Sequence, residues 1–320
     1  MKLKKMALLN PFNEVYQSDN FKRVLVNELA PFPYIVDIEL TNHCNFNCLF
    51  CGQQTMKRPK GFISWKVFKK VVDECAEHNT PIRLIRWGEP LLHPDIIKFC
   101  KYIKSKGLPL HITTNGSLLT DEMGKAFIDM GLDSIIFSFQ GADKKGYEQM
   151  RGEHYDKVVD NIFRFINYKH SFDGEIKPYI HITSTMTDET KQEIKDFKSQ
   201  WEIIVDEVTV GKTNLGRINP SQMKSLENIK KLGQLKDTVE KKHRPCTEVL
   251  QKSSVDWDGK VSACCSDWDN FMTVGDINNQ TLKDIWHNSE DLKIYRKLLK
   301  EMKHNSLTMC SVCYHTYETF

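Results

Sequence analysis

The sequence predicts an α/β fold, a partial (β/α)6 TIM-like barrel followed by a small C-terminal cysteine-bearing domain. Three observations carry that expectation. Short β-type runs alternate with amphipathic helical stretches through the middle of the chain, the pattern of successive βα units around a parallel sheet. From Tyr34 to Val210 there are 177 residues, room for about six units at about 30 residues each rather than eight. The ten cysteines include two knots nearly two hundred residues apart, one near the first β-type run and one toward the C-terminus.

The strands are expected at Tyr34 to Leu40, Ile82 to Trp87, Leu108 to Thr113, Ser134 to Phe139, Tyr179 to Thr185 and Asp206 to Val210. Helices are expected between them, as at Ser64 to His78, where Val67, Val71, Val72 and Cys75 recur at helical spacing. The chain divides into an extension (1–33), the barrel (34–210), a Gly, Asn, Pro and Lys-rich connector (211–245) and the small domain (246–320). Neither a solenoid repeat nor a low-complexity segment interrupts this plan.

Composition narrows the function. With 40% hydrophobic and 27% charged residues in 320, the chain can build a large core and is not biased toward disorder. Its 45 Lys and Arg nearly cancel its 42 Asp and Glu, short of the basic signature of a dedicated nucleic-acid binder. No nucleic-acid partner is expected, and an RNA-modifying enzyme, which needs a basic groove, is disfavoured. No apolar run reaches the roughly 18 to 20 residues of a membrane span, and the short run before Asn10 is not a signal peptide. A cytoplasmic protein without a membrane partner is expected, and in a reducing compartment ten cysteines point to metal ligands or catalysis rather than disulfides.

Strand alternation adds a prediction about the lumen. If Ile180 and Ile182 face the helices, then His181, Thr183 and Thr185 face inward. The same register turns Asp37, Glu39, His111, Thr113, Ser138, Gln140, Glu207 and Thr209 into the barrel. A lumen so polar fits a polar substrate; the alternative is that these groups satisfy one another.

Cys44, Cys48 and Cys51 fall in the loop after the first strand, the end of a parallel α/β barrel where active sites are built. Three thiolates without a fourth nearby leave one coordination position vacant, whereas closed structural sites use four protein ligands. A zinc site completed by a distant ligand such as His43, or buried free thiols, are the alternatives.

The CxxxCxxC spacing, with Phe50 before the last cysteine, resembles that of the radical S-adenosylmethionine (SAM) enzymes. The resemblance implies a [4Fe-4S] cluster on the three thiolates, with SAM chelating the vacant iron. Other segments extend the likeness over roughly residues 34 to 210. Trp87-Gly88-Glu89-Pro90 resembles the family's GGEP segment, which holds the methionine amino group, with Trp87 in place of the first glycine. Thr113-Thr114-Asn115-Gly116 is similar to the TNG turn. Ser138-Phe139-Gln140-Gly141 resembles S-x-D-G, implying a ribose contact at Ser138, although Gln140 replaces the usual Asp. Arg151 matches an arginine often found near the cofactor carboxylate.

Cys246, Gly259, Cys264, Cys310 and Cys313 form the second pattern, with a Trp257-Asp258-Gly259-Lys260 turn expected between two short strands. Four cysteines can hold a second [4Fe-4S] cluster or a zinc ion. The pattern resembles the SPASM and shorter twitch auxiliary-cluster domains of radical SAM enzymes, and with only seven residues after Cys313 a single auxiliary cluster is implied. Cys75 and Cys100 read as packed thiols. Cys265 reads as an alternative ligand, a buried thiol or a hydrogen-atom donor.

The resemblance implies an enzyme that generates a 5'-deoxyadenosyl radical with an electron from flavodoxin or ferredoxin. The expected reaction is oxidation or epimerisation of a polar, sugar- or aminocyclitol-like small molecule. A peptide-modifying enzyme is the alternative, although the stretch before the first strand is short for a separate peptide-recognition domain. A non-enzymatic zinc protein is the reading from another class.

Overall fold

A computed structural model describes residues 10–17, 29–172, 177–186, 189–212, 246–311 and 313. The expected connector lies almost wholly outside the described residues. Six strands run parallel in sequence order: β1 (Ile35–Ile38), β2 (Ile82–Leu84), β3 (Leu110–Thr114), β4 (Ser134–Gln140), β5 (Tyr179–Met186) and β6 (Glu207–Lys212). These six are the strands expected from the sequence, each shifted or trimmed by up to three residues at an end. Helix α1 (Pro11–Gln17) precedes the sheet. Helices α2 (Trp65–Glu77), α3 (Ile96–Ser105), α4 (Asp121–Asp129), α5 (Lys144–Arg151), α6 (Tyr155–Ser171) and α7 (Lys191–Trp201) connect the strands.

Local sequence explains the helix starts. Ser64 caps α2 by accepting the Val67 N–H, Thr120 caps α4 by accepting that of Met123, and Thr190 and Glu193 form a reciprocal capping box on α7. On α2 the buried residues are Val67, Phe68, Val71, Val72 and Cys75, one stripe at helical spacing. Phe68 stacks on Phe99 of α3 with centroids 4.2 Å apart. Cys75 and Cys100 are fully buried in this layer, as packed thiols should be.

The register settles which strand faces look inward. Val36 pairs with Ile82, Ile38 with Leu84, Leu84 with Ile112, Ile112 with Ile135 and Ile135 with Ile180, an apolar row under the helices. The alternate row runs Asp37, Arg83, His111, Ser134, Tyr179. Two further inward rows are Thr113, Ile136, His181, Glu207 and Ser138, Thr183, Thr209, with Gln140 and Thr185 beyond them. The polar lumen read from alternation is therefore present. Phe12 of α1 packs edge-on against His111, centroids 5.6 Å apart.

The C-terminal segment does not stand apart from the barrel. After α8 (Thr247–Gln251), strand β7 (Lys252–Val255) pairs in parallel with β1, and β8 (Lys260–Ser262) and β9 (Thr273–Asp276) continue antiparallel, giving one nine-stranded sheet. The turn between β7 and β8 is the one expected, with Gly259 at φ 92° where a side chain would be strained. Helices α9 (Leu282–Asn288), α10 (Glu290–Lys300) and α11 (Thr308–Ser311) follow. No helix among the described residues is long and apolar enough to cross a membrane.

A buried charge cluster clamps the two halves. The Arg58 guanidinium grips the Glu39 carboxylate through two hydrogen bonds of 2.6 and 2.5 Å. Arg86 donates to Asp256 at 2.6 Å and to the Cys264 carbonyl at 2.9 Å, and Arg58 stands 3.5 Å from the same Asp256 carboxylate. Burial, with Glu39 nearby, pushes the Asp256 carboxyl up to about 6 against the pull of the two guanidiniums. Breaking a buried pair leaves an uncompensated charge at a cost of about 3–5 kcal/mol. Arg86→Met is therefore expected to destabilise the metal-free protein by about 3 kcal/mol, read as a lower midpoint in urea; an unchanged midpoint would mean that Arg58 alone compensates Asp256.

Candidate active site

The chain leaves β1 into a loop that carries Cys44, Cys48 and Cys51 and folds back on itself. The Asn42 side-chain amide organises it, donating to the Pro59 carbonyl at 2.8 Å and accepting from the Gly61 N–H at 2.9 Å. Gln53 donates to the carbonyls of Asn42 and Trp87, joining this loop to the segment after β2. A 3-10 turn at Gly52–Gln54 follows Cys51 directly.

Burial makes this thiol set costly to ionise on its own. The Cys44 thiol is pushed up to about 11 by burial, with Glu89 and Cys48 acting in the same direction and the Phe46 N–H and Arg151 opposing. Cys48 is raised by burial and by Cys51, again opposed by Arg151. Thiolates that repel one another in a partly desolvated loop call for a cationic centre. An iron-sulfur core supplies one, so the donor set fits the group. Among the described residues no three Cys, His, Asp or Glu side chains are close enough to grip one metal ion. A multi-iron cluster would not need all three thiolates on one ion.

Around the loop stand the other segments singled out in the sequence. Gly88 is forced by contact: a Cβ there would lie 1.9 Å from the Thr41 carbonyl oxygen. The close approach is to the backbone of the cysteine loop, to which Glu89 also donates its N–H at the His43 carbonyl, 2.8 Å. The buried Glu89 carboxylate accepts from the Leu91 N–H, the Thr114 hydroxyl and the Asn115 N–H at 3.1, 2.7 and 2.7 Å. Pro90 opens a short 3-10 turn beneath it. Burial raises the Glu89 carboxyl against these hydrogen bonds.

Asn115 is buried and works within the protein. Its amide donates to Asn45 of the cysteine loop at 3.0 Å and its carbonyl oxygen accepts from the Ser117 N–H and hydroxyl. Arg151 ends α5 with its guanidinium 5.5 Å from the Phe50 ring and a buried Nε that has no hydrogen-bond partner. The Met150 carbonyl accepts the Leu49 N–H, fixing the end of α5 to the loop. Ser138 lies half-buried on the inward face beside Thr183. Gln140 is fully buried and accepts from the Thr185 hydroxyl at 2.5 Å. Trp87 turns toward the C-terminal segment: its indole N–H donates to the Asp267 carbonyl at 2.9 Å, and its ring meets Trp268 edge-on at 6.0 Å.

In the second cysteine group, Cys246, Cys310 and Cys313 lie close enough to act on one another's charge. Cys246 stands at the N-cap position of α8 without a side-chain capping bond, and burial pushes it up to about 11, with Glu248 and Cys313 adding to the shift and the backbone N–H groups of Val249 and Glu248 opposing it. Cys310 is pushed up to about 12 by burial, with Cys246 and Cys313 acting in the same direction. The Cys264 sulfur accepts the Ser266 N–H at 3.3 Å. Cys265 is held well above the usual thiol range by its side-chain hydrogen bond with Cys264, by burial and by the charges of Glu248, Cys264 and Asp37. Sequence reasoning missed Arg58, Arg86 and Asp256. Charged side chains read by default as surface residues, and nothing in the local pattern of these three marks them as buried. Arg83, between Ile82 and Leu84, did carry the alternation signal; it holds Asp37 through bonds of 2.6 and 2.7 Å.

A family model described as the radical SAM superfamily matches residues 38–200, more than half of the chain, and one described as an iron-sulfur cluster-binding domain, SPASM, matches 246–314. The chain belongs to the radical SAM superfamily. Radical SAM membership brings a [4Fe-4S] cluster and SAM to the barrel, and the SPASM domain brings further iron-sulfur chemistry to the C-terminal segment. The tungsten-containing aldehyde ferredoxin oxidoreductase cofactor-modifying protein of Pyrococcus furiosus is 26% identical over 312 residues, 86% of each chain. The AdoMet-dependent heme synthase of Methanosarcina barkeri is 34% identical over 121 residues, 38% of this chain and 35% of that protein. The fold is shared with Streptococcus suis SuiB bound to the precursor peptide SuiA, at TM-score 0.66 and 15% identity over 92% of this chain and 78% of that one. It is shared too with BtrN in complex with AdoMet and 2-DOIA, at TM-score 0.56 and 19% identity over 88% and 93%.

Gly88→Ala is expected to push the β2 loop off the cysteine loop, because the Thr41 carbonyl is backbone and cannot step aside. Anaerobic reconstitution should then give protein with about half the wild-type iron, and full iron loading of the variant would show that the contact is dispensable.

Proposed function

We propose that this chain is a radical SAM oxidoreductase that removes a hydrogen atom from a neutral, hydroxyl-rich small molecule of the sugar or aminocyclitol kind, leading to oxidation. One observation carries the substrate class: the charged groups of the inner wall cancel locally except Glu207, which accepts from the Tyr179 hydroxyl and has His181, its pKa lowered by burial, 3.6 Å away. Asp37 is spent on Arg83, and Glu39 and Asp256 on Arg58 and Arg86. The inward rows nearer the cysteine loop then offer neutral hydroxyls and amides, Ser138, Thr183, Thr185, Thr209 and Gln140. Such a wall matches hydroxyl groups better than it matches a charged peptide. BtrN, described in complex with 2-DOIA, gives the fold a precedent for a small molecule, and SuiB, bound to SuiA, gives one for a peptide.

In this reading Cys44, Cys48 and Cys51 hold the first cluster, and Cys246, Cys264, Cys310 and Cys313 hold the auxiliary one. Bound, these groups and SAM supply the one-electron chemistry that yields a 5'-deoxyadenosyl radical and takes up the second electron of an oxidation. The protein's own part is to bind, orient and shield. A carboxylate has about four acceptor positions, and Glu89 spends three on the protein, leaving one for the methionine ammonium. The unpartnered Nε of Arg151 suits the methionine carboxylate. Phe50 and the Trp87-Gly88-Glu89-Pro90 segment wall the cofactor, and Asn115 and Ser138 offer it polar groups. Residues 34–210 and 246–320 act as barrel and auxiliary domain, in the reducing cytoplasm, and flavodoxin or ferredoxin supplies the electron.

Epimerisation is the second reading, and the placement of Cys265 favours it. Its thiol sits against Cys264 and also feels Glu248 and Asp37 of the lumen row, a position between the auxiliary cysteines and the lumen from which it can return a hydrogen atom to a substrate radical.

Anaerobically reconstituted protein should be brown with about eight irons per chain. Changing Cys44, Cys48 and Cys51 together to Ala should remove about four of them and abolish SAM cleavage. Dithionite-reduced enzyme should release 5'-deoxyadenosine with one of a panel of sugars and aminocyclitols; release with peptides alone would overturn the substrate class, and a colourless protein with stoichiometric zinc would overturn the enzyme. Cys265→Ala separates the branches: under epimerisation, solvent deuterium no longer enters the product, whereas under oxidation carbonyl formation persists.

A further inference from the structure

The stretch from Cys44 to Val72 carries six Lys and Arg and not one Asp or Glu. In a chain whose net charge is only +3, this concentration has to be placed. Three of the six are committed. Arg58 is buried on Glu39, Lys69 pairs with Asp73, and Lys70 donates to the carbonyls of Ile277 and Gln280. Lys57, Lys60 and Lys66 are exposed, and among the described residues no carboxylate pairs with their side chains. Asp269 also reaches this segment, but its Oδ1 accepts the backbone N–H groups of Lys57 and Arg58 at 2.7 Å each.

Between the lysines stands an apolar anchor. Phe62 is 43% exposed although large and aromatic. Its ring stacks on His43, centroids 5.1 Å apart, and His43 precedes Cys44 in the chain. Asn45 and Asn47 of the same loop are exposed and Cys44, Cys48 and Cys51 are half-buried, so the thiol-bearing turn reaches the surface along one edge.

We propose that Lys57, Lys60, Lys66 and Phe62 form the docking surface for an acidic, low-potential one-electron carrier protein. This rests on the function proposed above, which requires an electron at this loop, and it fixes where the donor sits and what charge it carries. Positive side chains around a surface-lying redox loop steer an acidic partner and orient it, while one exposed aromatic supplies the small apolar contact typical of weak electron-transfer encounters. The step transfers one electron from the reduced carrier to the iron-sulfur group held by the three cysteines, with no bond made or broken.

The test uses the full-length reconstituted protein with two probes, a flavodoxin hydroquinone and a reduced plant-type [2Fe-2S] ferredoxin. Carrier binding is read by calorimetry and cluster reduction by stopped-flow absorbance. In the wild type, association should slow steeply as ionic strength rises past the range where the Debye length falls to about 10 Å. Lys57→Glu with Lys60→Glu should weaken carrier binding about tenfold or more, Phe62→Ser should do so without changing the salt slope, and reduction by dithionite should stay at the wild-type rate. Lys191→Glu with Lys195→Glu, on α7, serves as the control and should leave binding unchanged. The proposal falls if neither carrier binds the wild type, if the control pair weakens binding equally, or if heparin binds the patch while both carriers do not. Should Lys57→Glu with Lys60→Glu lose iron, the Gln pair and the wild-type salt slope decide the matter. Failure of dithionite-reduced enzyme to cleave SAM would instead overturn the functional reading, and the binding arm would still judge the docking surface.

Discussion

The clamp of Glu39, Arg58, Asp256 and Arg86 is the constraint on which the rest of the structure hangs. Glu39 leaves the top of β1, Arg58 closes the cysteine loop, Arg86 leaves β2 and Asp256 leaves β7. Two negative and two positive groups cancel in a space almost closed to water, so none can be removed without stranding its partner. Buried ion pairs contribute little net stability relative to apolar packing, but they tolerate few alternative arrangements. Here that selectivity fixes the register of the C-terminal strands against the barrel and, with it, the relation of the two cysteine groups.

Charge cancellation at the wall also shapes what the lumen can do. With Asp37 held by Arg83, and with burial keeping His111 well below its usual range and hence neutral, the inner surface presents mainly dipoles. A neutral hydroxyl-bearing molecule exchanges water for such groups at small desolvation cost, whereas an ion would need a counter-charge that the wall has already used. The parallel register makes this possible, because the same alternation that buries Ile112, Ile135 and Ile180 under helices turns His111, Ser134 and Tyr179 inward.

Much of this was legible in the sequence. Strand positions, the α2 stripe, the turn at Gly259 and the inward rows follow from periods of 2 and 3.6 residues, because those periods report burial directly. The cysteine knots announced themselves by residue type and spacing. What could not be read were contacts between distant segments: Arg58 with Glu39, Arg86 with Asp256, and the parallel pairing of β7 with β1, which merges the expected small domain into the barrel's own sheet. Those depend on three-dimensional juxtaposition, and a lone arginine has the same local signature whether it ends in solvent or in a salt bridge.

The two departures from the family's motifs make physical sense together. Where a glycine is usual, Trp87 reaches across to the Asp267 carbonyl and Trp268, and Trp268 in turn lies against Gly52, next to Cys51. Asp267 itself donates its N–H to the Cys264 carbonyl, and its carboxylate ties up the N–H groups of Asp269, Phe271 and Met272. Trp87 therefore extends the clamp by one indole, linking the Glu89 segment, the first cysteine loop and the second in a single packed unit. Gln140, where a carboxylate is usual, removes a charge from the inner wall and satisfies itself on Thr185. One substitution stiffens the junction between the cysteine groups; the other keeps the lumen neutral where it opens toward them. Both push the structure in the direction its charge pairing already takes, toward a rigid, electrically quiet chamber beside a thiolate-rich rim.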